Sequence, residues 1–274
     1  MALQDTQIAF IGGGNMASAI IGGLLRQGLP AANVQVVEPW EKARARLARE
    51  LGVQADAAAG PALARARLLV WAVKPQAFHE AAQPVAAHAG GALHISVAAG
   101  IRSDSIARWL ASERVVRCMP NTPALVGRGM TALFARPAVS GADRALAEQV
   151  LAPTGATLWV EEEVQLDAVT ALSGSGPAYV FYFIEAMAMA GEQMGLPPAQ
   201  ALQLAIGTFT GAAELARASS DPPQVLRERV TSKGGTTYAA LTSMEQAGVA
   251  RHFIEAMQAA RRRAAELGDE FGRG

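Results

Sequence analysis

Gly12, Gly14 and Ala17 stand at G-x-G-x-x-A spacing inside Thr6-Gln-Ile-Ala-Phe-Ile-Gly-Gly-Gly-Asn-Met-Ala17. These residue types suit the binding of a pyrophosphate. One glycine turns the chain, one leaves the surface bare where phosphate must approach, and a small residue lets a helix pack on a strand. The amides of Asn15 and Met16, with the positive end of a helix dipole behind them, would face the phosphates, and Ile11 and Gly13 complete the contacting run. On the glycines alone, an ordinary glycine turn in an α/β protein reads the same way. The context favours a dinucleotide, because Glu38 ends a following apolar run, Val34-Gln-Val-Val-Glu38. A carboxylate about 20 residues beyond such glycines is the usual partner of a ribose hydroxyl.

A second stretch with chemical character is Val230-Thr-Ser-Lys-Gly-Gly-Thr-Thr-Tyr238. Bare amides near Gly234 and Gly235, the Ser232 hydroxyl and a helix start at Thr236 form a set able to hold a carboxylate. A capped loop without a ligand fits the same residues.

The elements that carry these stretches follow from periodicity. The first stretch reads as strand, tight turn, helix. From Thr6 to about Val160 strands alternate with helices, which predicts a mostly parallel sheet covered on both faces. Continuous apolar runs at Leu68–Val73 and Ala92–Val97 are of buried-strand type. Further strands are predicted at Arg114–Met119, Gly129–Phe134 and Thr157–Val160. Helices are predicted at Glu41–Leu51, Gln76–His88, Ser103–Leu110 and Gly141–Leu151. After Val160 the strand signals stop, and helices are predicted at 163–195, Pro198–Ala218, Pro222–Val230, Tyr238–Ala247 and Val249–Leu267.

The fold class is therefore α/β: an N-terminal Rossmann-type dinucleotide-binding domain over residues 1–160, then an all-helical domain over 161–274. The predicted helix at 163–195 would approach 50 Å at ~1.5 Å per residue. Its stretch from Tyr179 to Met189 leaves almost no polar face, and a helix apolar all round must be surrounded. A second copy of the chain is the expected cover. Burial within its own domain is the alternative.

Composition narrows the function classes. The 274 residues carry a formal net charge of zero with 18% charged side chains, so nothing favours nucleic acid or an anionic membrane as partner. The single cysteine, Cys118, forms no intramolecular disulfide and points to a reducing compartment, hence the cytoplasm. The N-terminus shows no secretory pattern, and the apolar region from Pro177 to Gly191 falls short of the ~20 residues that cross a bilayer. No metal site is expected from His79, His88, His94 and His252, which show no ligand spacing.

From end to end the sequence resembles pyrroline-5-carboxylate reductase. The resemblance rests on Phe10–Ala17, Ala72-Val-Lys-Pro75, Ser96–Ile101, Arg117-Cys-Met-Pro-Asn-Thr-Pro123, Leu172-Ser-Gly-Ser-Gly-Pro-Ala-Tyr179 and Thr231-Ser-Lys-Gly-Gly-Thr-Thr237. It implies NADPH or NADH as cofactor, with Ala72, Val73, Lys74 and Pro75 and also Ala98, Ala99 and Gly100 in loops beside the nicotinamide and ribose. It implies a homodimer and is compatible with a higher oligomer of dimers. It further implies 1-pyrroline-5-carboxylate bound between the nicotinamide and the second stretch. Ser232, Gly234, Gly235 and Thr236 would hold the carboxylate, and Thr237 would hydrogen-bond the ring nitrogen as the catalytic contact.

The implied reaction is hydride transfer to a cyclic imine, giving L-proline. It demands no dedicated acid, because the imine nitrogen can take its proton from water or through the Thr237 hydroxyl. Lys74, the one cation near the expected site, either polarises the pocket or anchors its loop. Glu38 would accept from an adenosine ribose and repel a 2′-phosphate, with Lys42 and Arg44 near enough in sequence to offset that repulsion. Two rivals stand beside this reading. A β-hydroxyacid reductase needs a lysine or similar acid on the long helix, and Leu172–Tyr179 has none. A silent nucleotide sensor would not need Ser232 and Thr237 intact.

Overall fold

The computed structural model describes residues 3–89 and 91–272. Strands and helices alternate through the first part of the chain: β1 (Ile8–Ile11), α1 (Asn15–Arg26), β2 (Val34–Val37), α2 (Glu41–Leu51), β3 (Ala55–Asp56), β4 (Leu68–Trp71), α3 (Pro75–Ala86), β5 (Leu93–Ser96), α4 (Ser103–Leu110), β6 (Val115–Met119), β7 (Gly129–Ala135), α5 (Gly141–Leu151) and β8 (Gly155–Trp159). The eight strands form one sheet in the order β3-β2-β1-β4-β5-β6-β7-β8. All neighbours are parallel except β6 and β7. The connection between those two, which holds Pro120 and Pro123, is too short for a crossover helix, so the chain must turn back antiparallel.

Side chains alternate along β1 and so build two cores. Ile8 and Phe10 join Ile20, Leu24 and Val150 on one face, while Ala9 and Ile11 join Trp71, Phe78 and Val85 on the other. Both faces are covered, as the unbroken apolar runs require.

The structure corrects the reading of 163–195 as one helix. Here α6 (Gln165–Val169) passes into a π-helical turn at Thr170–Gly174, and α7 (Gly176–Gln193) starts afresh. The Thr170 hydroxyl donates to the Leu166 carbonyl at 2.7 Å, and Asn121 Nδ2 donates to the Ser173 carbonyl at 3.1 Å. These bonds compete with the regular ladder and widen it. A Cβ at Gly174 would lie 2.4 Å from Met119 Cε, so the turn is pressed onto the end of β6. Pro177 then falls in the first turn of α7, where its missing N–H costs nothing.

The remaining helices are α8 (Pro198–Ala218), α9 (Pro223–Arg229), α10 (Thr236–Gln246) and α11 (Val249–Phe271). By compactness the chain forms two units, one through Ser175 that the chain rejoins from Ala260, and one from Gly176 to Ala259. Within the second unit α7 and α8 pack closely at Gly191, where a Cβ would meet Ala201 Cβ at 2.9 Å. Much of α7 is bare: Phe181 is 59%, Tyr182 69% and Met189 60% exposed. Among the described residues, no helix is long and apolar enough to cross a membrane.

One buried group makes the sheet domain pH-sensitive. His94 is 1% exposed, and its Nδ1 accepts from Trp71 Nε1 at 3.2 Å while Nε2 has no partner among the described residues. Burial, with Arg114 adding a smaller repulsion, lowers its pKa from 6.5 to about 4. The unfolded chain therefore binds the proton first as pH falls. The contribution is fully present above pH 6.5 and is lost progressively toward pH 4, by about 3 kcal/mol. Denaturant unfolding across that range should show this loss, and His94→Leu should reduce it. An unchanged pH slope in the variant would assign the effect to other groups.

Candidate active site

The strand order reverses between β1 and β4, which both leave the sheet at their carboxyl ends beside one cavity of about 620 Å³. A crevice at that switch point is where open α/β sheets bind ligands. Gly12, Gly14, Asn15, Glu38, Ala72, Val73 and Lys74 all line it. Of the other residues read from the sequence, Ile11, Gly13, Met16 and Pro75 adjoin the lining through the chain and are not part of it. Ala98, Ala99 and Gly100 follow β5, one strand further on, and also lie outside the lining. Gly100 has φ +74°, and its Cα faces Phe271 and Leu267 at the end of α11.

The three glycines differ in what demands them. Gly12 has φ +95°, and a Cβ there would sit 2.6 Å from the Ala72 carbonyl oxygen, so the turn from β1 into α1, set against the chain leaving β4, excludes any side chain. A Cβ at Gly13 would strike Leu47 Cδ1 at 2.6 Å. At Gly14 a Cβ would meet nothing within 4 Å. The protein's own atoms leave open the space over Gly14, which caps α1 without a side-chain bond. The first amides of α1 are thus available to an anion. Ala17 is fully buried where α1 packs on the sheet. These residues fit a dinucleotide.

Glu38 half-faces the cavity. Its Oε2 accepts from Gly13 N–H at 2.7 Å and its Oε1 from Trp40 N–H at 2.9 Å. Lys74 precedes Pro75 at the start of α3 and is exposed. Arg46 also lines the cavity and was not singled out from the sequence. The only signal was its position one turn after Lys42 on α2. Cys118 is fully buried, and burial pushes its thiol well up despite the Arg117 charge, so it stays protonated and is no nucleophile.

The second stretch lies in the helical unit. Gly234 has φ +77°, and Gly235 N–H donates to the Ser232 carbonyl at 3.0 Å. A Cβ at Gly235 would lie 2.6 Å from Ser232 Oγ and 3.2 Å from the Ser232 carbonyl oxygen, so a side chain there would push the serine hydroxyl aside. Gly235 then caps α10 with no side-chain bond, which leaves the amides of the first turn without a capping partner among the described residues. Ser232, Gly234 and Thr236 are exposed, and Thr237 is half-buried.

Residues 163–267 match the family described as pyrroline-5-carboxylate reductase dimerisation, and residues 7–100 match the NADP oxidoreductase, coenzyme F420-dependent family. A pyrroline-5-carboxylate reductase of Pseudomonas aeruginosa is 45% identical over 98% of this chain and 100% of its own. The chain belongs to the pyrroline-5-carboxylate reductase family. The fold agrees. A reductase structure from Coxiella burnetii superposes with a TM-score of 0.89 at 37% identity, covering 96% of this chain and 98% of that one. The Plasmodium falciparum pyrroline carboxylate reductase structure with NADP bound gives 0.87 at 26% identity, covering 97% and 100%. The Leu172–Tyr179 segment carries the end of the π-turn and the start of α7, and it has no lysine.

Proposed function

We propose that the chain reduces 1-pyrroline-5-carboxylate to L-proline with NADPH or NADH. The observation that carries this is family membership over the whole chain together with the open, uncapped Gly14 turn at the sheet's switch point. When bound, the reduced nicotinamide supplies the hydride that adds to the imine carbon, and a proton on nitrogen completes the amine. The protein's task is to align the two rings, hold the carboxylate and favour the protonated imine. Gly14, Asn15 and Met16 bind the pyrophosphate through their amides, and Glu38 takes the adenosine ribose. Ala72 to Pro75 and Ala98 to Gly100 border the nicotinamide half. Ser232, Gly234, Gly235 and Thr236 hold the substrate carboxylate, supported by the uncapped start of α10. Thr237 accepts a hydrogen bond from the protonated ring nitrogen and so favours the more electrophilic form.

The functional division follows where the strands stop: residues 1–160 bind the cofactor, and 161–274 bind the substrate and dimerise. The single cysteine supports a cytoplasmic setting. Incubating the purified protein with pyrroline-5-carboxylate and either cofactor should yield L-proline. Turnover of a β-hydroxyacid instead would overturn the assignment.

Glu38 sets the cofactor ratio. Two of its acceptor positions are used by backbone amides, and a carboxylate has others left for ribose hydroxyls. Its charge also opposes a 2′-phosphate, so appreciable use of NADH is expected. Glu38→Ser should raise the ratio of kcat/KM for NADPH over NADH by about tenfold, the effect of roughly 1.4 kcal/mol of relieved repulsion. The ratio is the readout because loss of the Gly13 bond weakens both cofactors alike. An unchanged ratio would mean that Glu38 does not meet the ribose.

A further inference from the structure

The middle glycine of the phosphate-binding turn is gripped from both sides by opposite charges. Gly13 N–H donates to Glu38 Oε2 at 2.7 Å, and the Gly13 carbonyl accepts from Arg46 Nη2 at 2.9 Å. The same guanidinium reaches past Gly14, with Nη1 donating to Asn15 Oδ1 at 3.2 Å and Nη2 to Ser18 Oγ at 3.5 Å. Its Nε–H is buried without a partner among the described residues. A side chain free to swing into solvent would not carry that desolvation cost, so its other bonds hold it in place. The opposite jaw is braced too. Arg44 Nη1 donates to the carbonyls of Glu38 at 2.9 Å and Pro39 at 2.7 Å, fixing the turn that presents the carboxylate.

Three consecutive glycines have more conformational freedom than any other tripeptide, and ordering them only when a ligand arrives would cost affinity. We infer that Arg46 is a positioning residue for the phosphate-binding turn. With Glu38 opposite, it holds Gly13 so that the amides from Gly14 onward already face the cavity. Three of its five N–H donors go to Gly13, Asn15 and Ser18, which ties the side chain to the turn itself. Its effect falls on the pyrophosphate portion common to NADH and NADPH. This inference rests on the assignment of the cavity to the cofactor.

Titration calorimetry of the full chain with NADH, NADPH and ADP tests it. In Arg46→Ala all three dissociation constants should rise by the same factor, about tenfold for the loss of a charged hydrogen-bonding group. The kcat at saturating cofactor should be retained, a split that general damage to the fold would not give. Arg46→Lys, which keeps the charge and can make one of the bonds, should show a smaller and again equal rise, and it carries the comparison if the alanine variant does not fold. A rise confined to NADPH would make Arg46 a 2′-phosphate reader and overturn the inference. Unchanged constants would overturn it as well. The unmodified chain is titrated first, and failure to bind any of the three nucleotides would remove the cofactor assignment itself.

Discussion

Thr237→Ala is expected to lower kcat/KM for pyrroline-5-carboxylate by about ten- to a hundredfold, with cofactor affinity and Tm nearly unchanged. Thr237 is the second residue of α10, half-buried, directly after a glycine turn that closes on Ser232. Its hydroxyl would accept from the protonated ring nitrogen, stabilising the reactive imine and fixing which carbon meets the hydride. Losing a hydrogen bond to a charged group costs about 1.5 to 3 kcal/mol, which converts to that range of rates. Misalignment adds to it. Thr237→Ser keeps the hydroxyl and should retain much more activity. Steady-state kinetics of both variants distinguish the roles: an alanine variant that turns over like wild type would leave Thr237 as a helix-start residue only.

Phe181→Asp is expected to turn the proposed homodimer into monomer or aggregate on sedimentation. Phe181, Tyr182 and Met189 are bare on α7 in the single chain, within the segment that matches the family's dimerisation domain. Nearby, Tyr179 and Phe183 each meet the Phe253 ring edge-on at 5.6 Å, beside a cavity of about 550 Å³ that they line with Tyr182 and His252. We propose that a second copy covers this face. An aspartate there would be buried without a partner, which costs several kcal/mol. A well-folded, fully active dimer carrying the substitution would place the interface elsewhere.

How far these features could be read from the residues depended on how local their causes are. The bounds of α2, α4, α5 and α8 follow from apolar spacing and end signals within each segment, and the structure has them where the periodicity put them. The glycine turn was legible for the same reason. β3 was missed because two residues carry no period and owe their pairing to β2. The π-turn was missed because Asn121 and Met119, which act on it together with the local Thr170 hydroxyl, lie far away along the chain. α11 runs four residues beyond the predicted end, to Phe271, where Gly100 lets its ring approach the loop after β5. Arg46 was invisible for a related reason. On α2 alone it is one charge among several, and only the fold brings it to Gly13.

Hydride destination is the most direct test of the assigned reaction. The purified protein is given pyrroline-5-carboxylate with NADH or NADPH deuterated at the transferable position, and the proline formed is analysed by NMR. One deuterium at C5 of L-proline, in step with cofactor oxidation, is the expected result. Absence of cofactor oxidation, or oxidation that leaves no deuterium at that carbon, would contradict it.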